Sequence, residues 1–203
     1  MKKIVSIVLA VSMLAVCVTG CKTTTRKQLK PVVLNEVAHS IFYAPQYAAI
    51  ELGYFEDEGL DLTLVNGAGA DKVMTALISG DADIGFMGSE ASIYVYQQGS
   101  DDYAVNFAQL TQRAGNFLVG REAQDNFTWA DLKGKKVLGG RAGGMPEMVF
   151  EYILKKNGID PAADLTIDQS INFGLTAAAF TSNDADYTVE FEPFATGLEK
   201  RCV

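Results

Sequence analysis

The residues best able to bind or react in this 203-residue chain fall in a few short stretches. Gly139-Gly140-Arg141-Ala142-Gly143-Gly144-Met145-Pro146 lies where a strand pattern gives way to a helical one. Backbone N–H groups at a helix start, with a guanidinium beside them, suit an anionic or carbonyl group. Arg141, Gly143, Gly144 and Met145 are the candidate contacts there. A tight βα turn with positive φ and Pro146 in the first helical turn accounts for the same residues without a ligand. Neither a Walker loop nor a dinucleotide fingerprint is present, since no Gly-Lys-Ser/Thr follows. Glu90 comes after a strand-end Gly88-Ser89, and Glu190 and Glu192 bracket Phe191. Convergent carboxylates suit an amine or the N–H edge of a heterocycle and repel a sulfonate. Alternatively, Glu90 complements its own helix dipole, an effect of roughly 0.3–1 kcal/mol. Phe42, Tyr43 and Tyr47 surround Pro45, and aromatic faces with a hydroxyl suit a planar ligand. Ser40 and Tyr43 are the candidates for contact, while Tyr47 reads as core. Asn66-Gly67 either caps a turn or reaches a ligand.

Other chemistry is excluded by count. His39 is the only histidine, so a His-rich metal site is impossible and a Ser-His or Cys-His pair is disfavoured. A solitary histidine of this kind reads as a hydrogen-bonded structural residue. No catalytic residue, metal or cofactor is expected. The net charge of −8 leaves no basic stripe to displace counterions, which argues against nucleic acid. A 48% hydrophobic content is that of a packed globular protein.

These residues need elements to position them, and the chain begins with a segment that does not. Lys2-Lys3 precede an apolar run from Ile4 to Val18, too short to span a bilayer comfortably, followed by Thr19-Gly20-Cys21. This describes a secretory signal over residues 1–20. Val18-Thr19-Gly20-Cys21 resembles the bacterial lipoprotein box, which implies a lipidated Cys21 that tethers the protein to a membrane. Residues 21–31 then read as the lipidated cysteine and a flexible stalk. With Cys17 removed and Cys21 acylated, only Cys202 remains, so no internal disulfide is available.

From Val32 onward, short β-rich runs alternate with helical spacing: Val32–Val37, Pro45–Leu52, Leu60–Val65, Asp71–Ser79, Ile84–Met87 and Gly88–Gln98. Alternation of this length predicts βα units and largely parallel sheets. The order then returns. Asp61-Leu62-Thr63-Leu64 and Asp81-Ala82-Asp83 recur as Asp164-Leu165-Thr166-Ile167 and Asp184-Ala185-Asp186, both 103 residues further on. The reading is two lobes of one design: residues 32–110, a hinge over 111–119 following a β-rich stretch (Tyr103–Leu110), and residues 120–203. Ligands bind outside the carboxyl ends of parallel strands, so the strand-end loops of both lobes surround one cleft. Ser40, Tyr43, Asn66, Gly67, Ser89 and Glu90 would line it from the first lobe, and Arg141, Gly143, Gly144, Met145, Glu190 and Glu192 from the second.

Ser40 through Phe55, Glu58-Gly59-Leu60-Asp61 and Ala76 through Gly85 together resemble the substrate-binding lipoproteins of ABC importers. The subgroup includes sulfonate, taurine, nitrate and thiamine-pyrimidine binders and is related in fold to a yeast pyrimidine-synthesis protein. Trp129 through Val137 is similar to that family's opening of the second lobe. The resemblance implies an α/β type II periplasmic-binding fold. It further implies an extracytoplasmic, lipid-anchored, monomeric receptor that hands a small solute to a membrane permease. Such proteins continue beyond the point where this chain ends, so the second lobe and the return crossover are expected to be incomplete. A thiamine-type pyrimidine or other nitrogenous heterocycle is the expected ligand, with a sulfonate or another organic anion as the competitor. The alternatives are an enzyme like the pyrimidine-synthesis relative, which would have to rely on His39 and Cys202, and a shortened remnant that binds nothing.

Overall fold

The computed structural model describes residues 28–201 except Ala114 and Phe173. Residues 1–20, read as a signal, Cys21, most of the stretch read as a stalk, and Cys202 lie outside the described residues. Strands β1 (Lys30–Glu36), β2 (Leu60–Asn66) and β3 (Ile84–Phe86) form a parallel sheet in the order β2-β1-β3. Strands β4 (Asn116–Gly120), β5 (Lys136–Leu138), β6 (Thr166–Asp168) and β7 (Tyr187–Phe191) form a second sheet, ordered β4-β7-β5-β6, with only β4 antiparallel. The core order β6-β5-β7 repeats β2-β1-β3. Helices α1 (Ala44–Glu51), α2 (Tyr54–Asp57), α3 (Ala70–Ser79) and α4 (Glu90–Gln97) belong to the first unit. Helices α5 (Met145–Lys156), α6 (Thr176–Ser182) and α7 (Phe194–Glu199) belong to the second.

The repeated Asp-Ala-Asp has a physical cause. Asp83 Oδ2 accepts the Val33 N–H at 2.8 Å, and the Asp83 N–H donates to the Val33 carbonyl at 2.9 Å. In the second unit, Asp186 Oδ2 accepts from Lys136 N at 2.9 Å, and Asp186 N donates to Lys136 O at 2.8 Å. In each lobe, therefore, one aspartate docks the entry of the third strand onto the first strand and satisfies backbone groups that would otherwise go unpaired.

Two boundaries differ from the sequence reading. β1 starts at Lys30, because residues 30–36 pair with 60–66 throughout, so Lys30 and Pro31 belong to the sheet rather than the stalk. Pro31 is tolerated because β3 pairs only with Leu34–Glu36, leaving that side of β1 without a ladder at residue 31. Residues 116–119, assigned to the hinge, form most of β4, since Leu118 and Val119 pair with Val189 and Thr188. The β-rich stretch at 103–110 makes no strand, and Val105 and Phe107 point to solvent. Tyr54, after the glycine that stops α1, is likewise exposed.

The apolar core concentrates in the second unit. Leu132, Val137, Phe150, Leu154, Ile159, Leu165, Tyr187 and Val189 pack together on one side. Leu138, Phe180, Ala185 and Leu198 pack in a second cluster. Successive β5 residues Val137 and Leu138 enter different clusters, as the twofold period of a strand covered on both faces requires.

Candidate functional site

Both sheets direct their strand ends toward one cavity of about 160 Å³. Its wall includes Val37–Ser40 after β1, Asn66 at the end of β2 with Ala68 beyond it, and Gly140–Arg141 after β5. Thr176 at the start of α6, with Glu190 and Phe191 at the end of β7 and Glu192 and Phe194 beyond it, closes the other side. Ser40, Asn66, Arg141, Glu190 and Glu192 are thus brought together around one space.

Glu190 is only 3% exposed, at the sheet's edge of the cavity. Thr188 Oγ1 donates to its Oε1 at 3.0 Å, and the Thr176 hydroxyl is a second partner. Burial raises its carboxyl above the usual range, against the lowering effect of these hydroxyls. Glu192 is used locally: its carboxylate accepts from Thr196 N at 3.2 Å and Thr196 Oγ1 at 2.8 Å, closing the first turn of α7. Ser40 Oγ accepts from Phe42 N at 3.3 Å and caps the short 3₁₀ turn Ile41–Tyr43. Asn66 Oδ1 accepts from Ala68 N at 2.9 Å, so capping and cavity lining coexist there.

The other candidates sit elsewhere. Tyr43 packs its ring 4.4 Å from that of Phe86 and is not part of the cavity wall. Burial, with Glu36 and Glu90 nearby, pushes its phenol up to about 12. Gly67 serves packing, because a Cβ there would meet Asn35 Oδ1 at 2.6 Å and Val73 Cγ2 at 2.8 Å. Ser89 precedes α4, and its carbonyl accepts from Ser92 Oγ at 2.7 Å.

The glycine loop makes most of its contacts within the protein. Gly140 and Gly143 take positive φ, as the turn requires. Yet its amides are already engaged: Gly143 N donates to Glu147 Oε2 at 3.2 Å, Gly144 N to Arg141 O at 3.1 Å, and Met145 N to Glu90 Oε1 at 3.1 Å. Arg141 forks onto Asp71, with Nε–Oδ1 at 2.9 Å and Nη2–Oδ2 at 2.6 Å. The guanidinium holds the Asp71 carboxyl below the usual carboxylate range. Through Arg141 and Met145 the loop contacts protein groups of the other lobe, where the sequence leaves open a ligand contact or a plain turn. Glu90 differs in the same way: it is 4% exposed and reaches across to the start of α5 in addition to taking its own amide.

Sequence reasoning missed Glu36. It ends β1, is 1% exposed, and accepts from Gln46 Nε2 at 3.0 Å and the Tyr47 hydroxyl at 2.9 Å. His39 Nδ1 lies 3.0 Å from its Oε1, and the His39 ring sits 4.4 Å from that of Tyr47. Tyr47 thus belongs to a polar cluster under the cavity wall rather than to an apolar core. Burial is the first cause that raises its phenol to about 12. An acid at the end of an apolar strand was the available signal. Thr176, which partners Glu190, carried none.

Against known proteins, residues 41–197 match the family described as NMT1/THI5 like. The chain is 50% identical over 182 residues to the "Putative binding protein YtlA" of Bacillus subtilis (strain 168), covering 90% of this chain and 54% of that protein. It therefore spans about half the length of this curated relative. The alkanesulfonate-binding protein SsuA from Xanthomonas axonopodis pv. citri, bound to MOPS, superposes with a TM-score of 0.58 at 19% identity, over 84% of this chain and 57% of that one. The ligand-binding component of an ABC-type import system from Staphylococcus aureus, with zinc bound, superposes at 0.63 and 19% identity over 84% and 57%. Both likenesses show the periplasmic-binding-protein fold, with its paired βα lobes. Because the family match extends over most of the length and its span takes in every wall of the cavity except Val37–Ser40, this chain belongs to the NMT1/THI5-like family.

Proposed function

We propose that this chain is the solute-capturing part of an ABC-type importer, held outside the cell by lipid on Cys21 as a monomer. It binds a small nitrogenous ligand between its lobes, passes it to a membrane permease, and performs no chemistry of its own. The observation that carries the reading is the cavity at the joined strand ends of two like sheets, the place where open parallel sheets take ligands. Glu190 at its wall, held by two threonine hydroxyls, favours an N–H donor or a cation. Phe191 and Phe194 offer aromatic surface to a flat ring. The engagement of Arg141 by Asp71 removes the strongest argument for a sulfonate. The family membership and the names of the similar proteins support binding over catalysis.

A thermal-shift screen of the full chain with aminopyrimidines and with alkanesulfonates tests this. A ligand at about a hundredfold its Kd adds about 2.7 kcal/mol, a shift of several degrees. Stabilisation by the aminopyrimidines alone is expected. Stabilisation by sulfonates alone would overturn the ligand class, and a flat response to both sets would overturn solute capture by this chain.

A further inference from the structure

Three contacts join the helices of the first lobe to the second, all on one edge of the cleft. The Asp71 carboxylate, in the first turn of α3, receives the Arg141 fork. Glu90, in the first turn of α4, reaches the Met145 N–H that opens α5. The Tyr94 hydroxyl donates to Met148 Sδ at 2.9 Å, one turn along each helix.

The chemistry of each contact is specific. Met145 is the first residue of its helix, so its N–H has no acceptor four residues back and needs one from outside. A buried carboxylate is a strong acceptor there, and the positive helix end favours it. The planar guanidinium engages both oxygens of Asp71, which sets the angle of approach as well as the distance. Neither pair is local in sequence, since Asp71 and Arg141 are 70 residues apart and Glu90 and Met145 are 55 apart.

We infer that Asp71–Arg141 and Glu90–Met145 form a latch that holds the two lobes together in the absence of solute, with Arg141 acting as a positioning residue for closure instead of a ligand contact. This deepens the solute-capture reading and rests on it, because it assigns a control on the same cleft. The latch sets how often the cleft opens, and thereby the apparent affinity for any solute. A receptor whose competent state is partly populated binds more weakly by that fraction.

Amide exchange at Met145 in the solute-free protein is the test, since protection at that position requires the opposing lobe. The parent should protect Met145 well beyond an exposed amide. R141M and D71N should each speed its exchange about fivefold, the upper range for a partly exposed ion pair, and the double variant should be no faster than either single one. The Leu154 amide, in the core of α5, should keep its parental rate. If a single variant also accelerates Leu154, the charge-swapped D71R/R141D decides: recovered protection at Met145 upholds the latch, and no recovery overturns it. An unprotected Met145 in the parent, or unchanged exchange in both single variants, would overturn it too. The readout uses no solute, so a failed ligand screen and a failed latch remain distinguishable.

Discussion

Glu190 is retained at a cost to stability. Burial holds its carboxyl above the ordinary value of 4.5, and the same is true of Glu90. In the unfolded chain these groups release their protons at the ordinary value. As pH rises from there to the raised value, the folded state keeps protons that the unfolded state has lost, so stability falls across that window and stays lower above it. Glu190→Gln should therefore be more stable than the parent at neutral pH, with the gap closing as pH falls from the raised value toward about 4.5. Thermal melts of the two proteins across pH check this. The same variant should lose most of the ligand-induced shift, because the amide carries no charge for a cationic N–H group. That a carboxylate sat at this strand end was plain in the sequence. Its burial was not, because the Thr176 and Thr188 hydroxyls arrive from another helix and the strand itself. The opposite outcome for Arg141 has the same origin. A lone arginine in a glycine loop looks free until a partner from the other lobe, Asp71, is brought within 2.6 Å.

At the level of elements, the junction of β4, α6 and β7 depends on Arg121. Its guanidinium donates to the carbonyls of Ala185 at 2.8 Å, Phe180 at 2.7 Å and Asn183 at 3.0 Å, and lies 4.4 Å from the centre of the Phe180 ring. These carbonyls end α6 and lead into β7, where the helix leaves acceptors without intrahelical donors. Arg121→Ala should cost about 3 kcal/mol, since charged hydrogen bonds and ring contact disappear together. Arg121→Lys should recover only part of this, lacking the planar fork. Urea denaturation midpoints measure both. Element order, type and repeat were legible from alternation and from the 103-residue offset. The role of Asp83 and Asp186 explains why Asp-Ala-Asp was the clearest repeated string: each aspartate makes the same backbone pair in its own lobe. The failures have equally local causes. The apolar alternation of residues 103–110 lacks a neighbouring strand to pair with among the described residues, and propensity alone does not make a ladder.

On the scale of the whole molecule, the two lobes share a design and differ in packing. The largest fully buried side chains include Leu132, Val137, Leu138, Leu154, Ile159 and Phe180 in the second lobe, against Val73 and Glu36 in the first. The second lobe should therefore be the last to open. Native-state hydrogen exchange should find β1 and β2 amides opening by a sub-global route, with β5 and β7 amides opening only on global unfolding. Equal protection of both sheets would contradict this. The boundaries proposed for the lobes, 32–110 and 120–203 about a hinge, should shift with β1 to residue 30 and with β4 to residue 116.

Alternation, glycine turns and an internal repeat are local or periodic properties. They were enough to determine that this protein is built from a pair of βα units. The partners of Arg141 and Glu90 lie 70 and 55 positions away in the chain, which no spacing rule encodes, and burial of a strand-end acid is not written in its neighbours either. Only the tertiary structure could therefore decide that Arg141 and Glu90 join the lobes, that Glu190 remains at the cavity wall, and that Glu36 anchors the cluster beneath it.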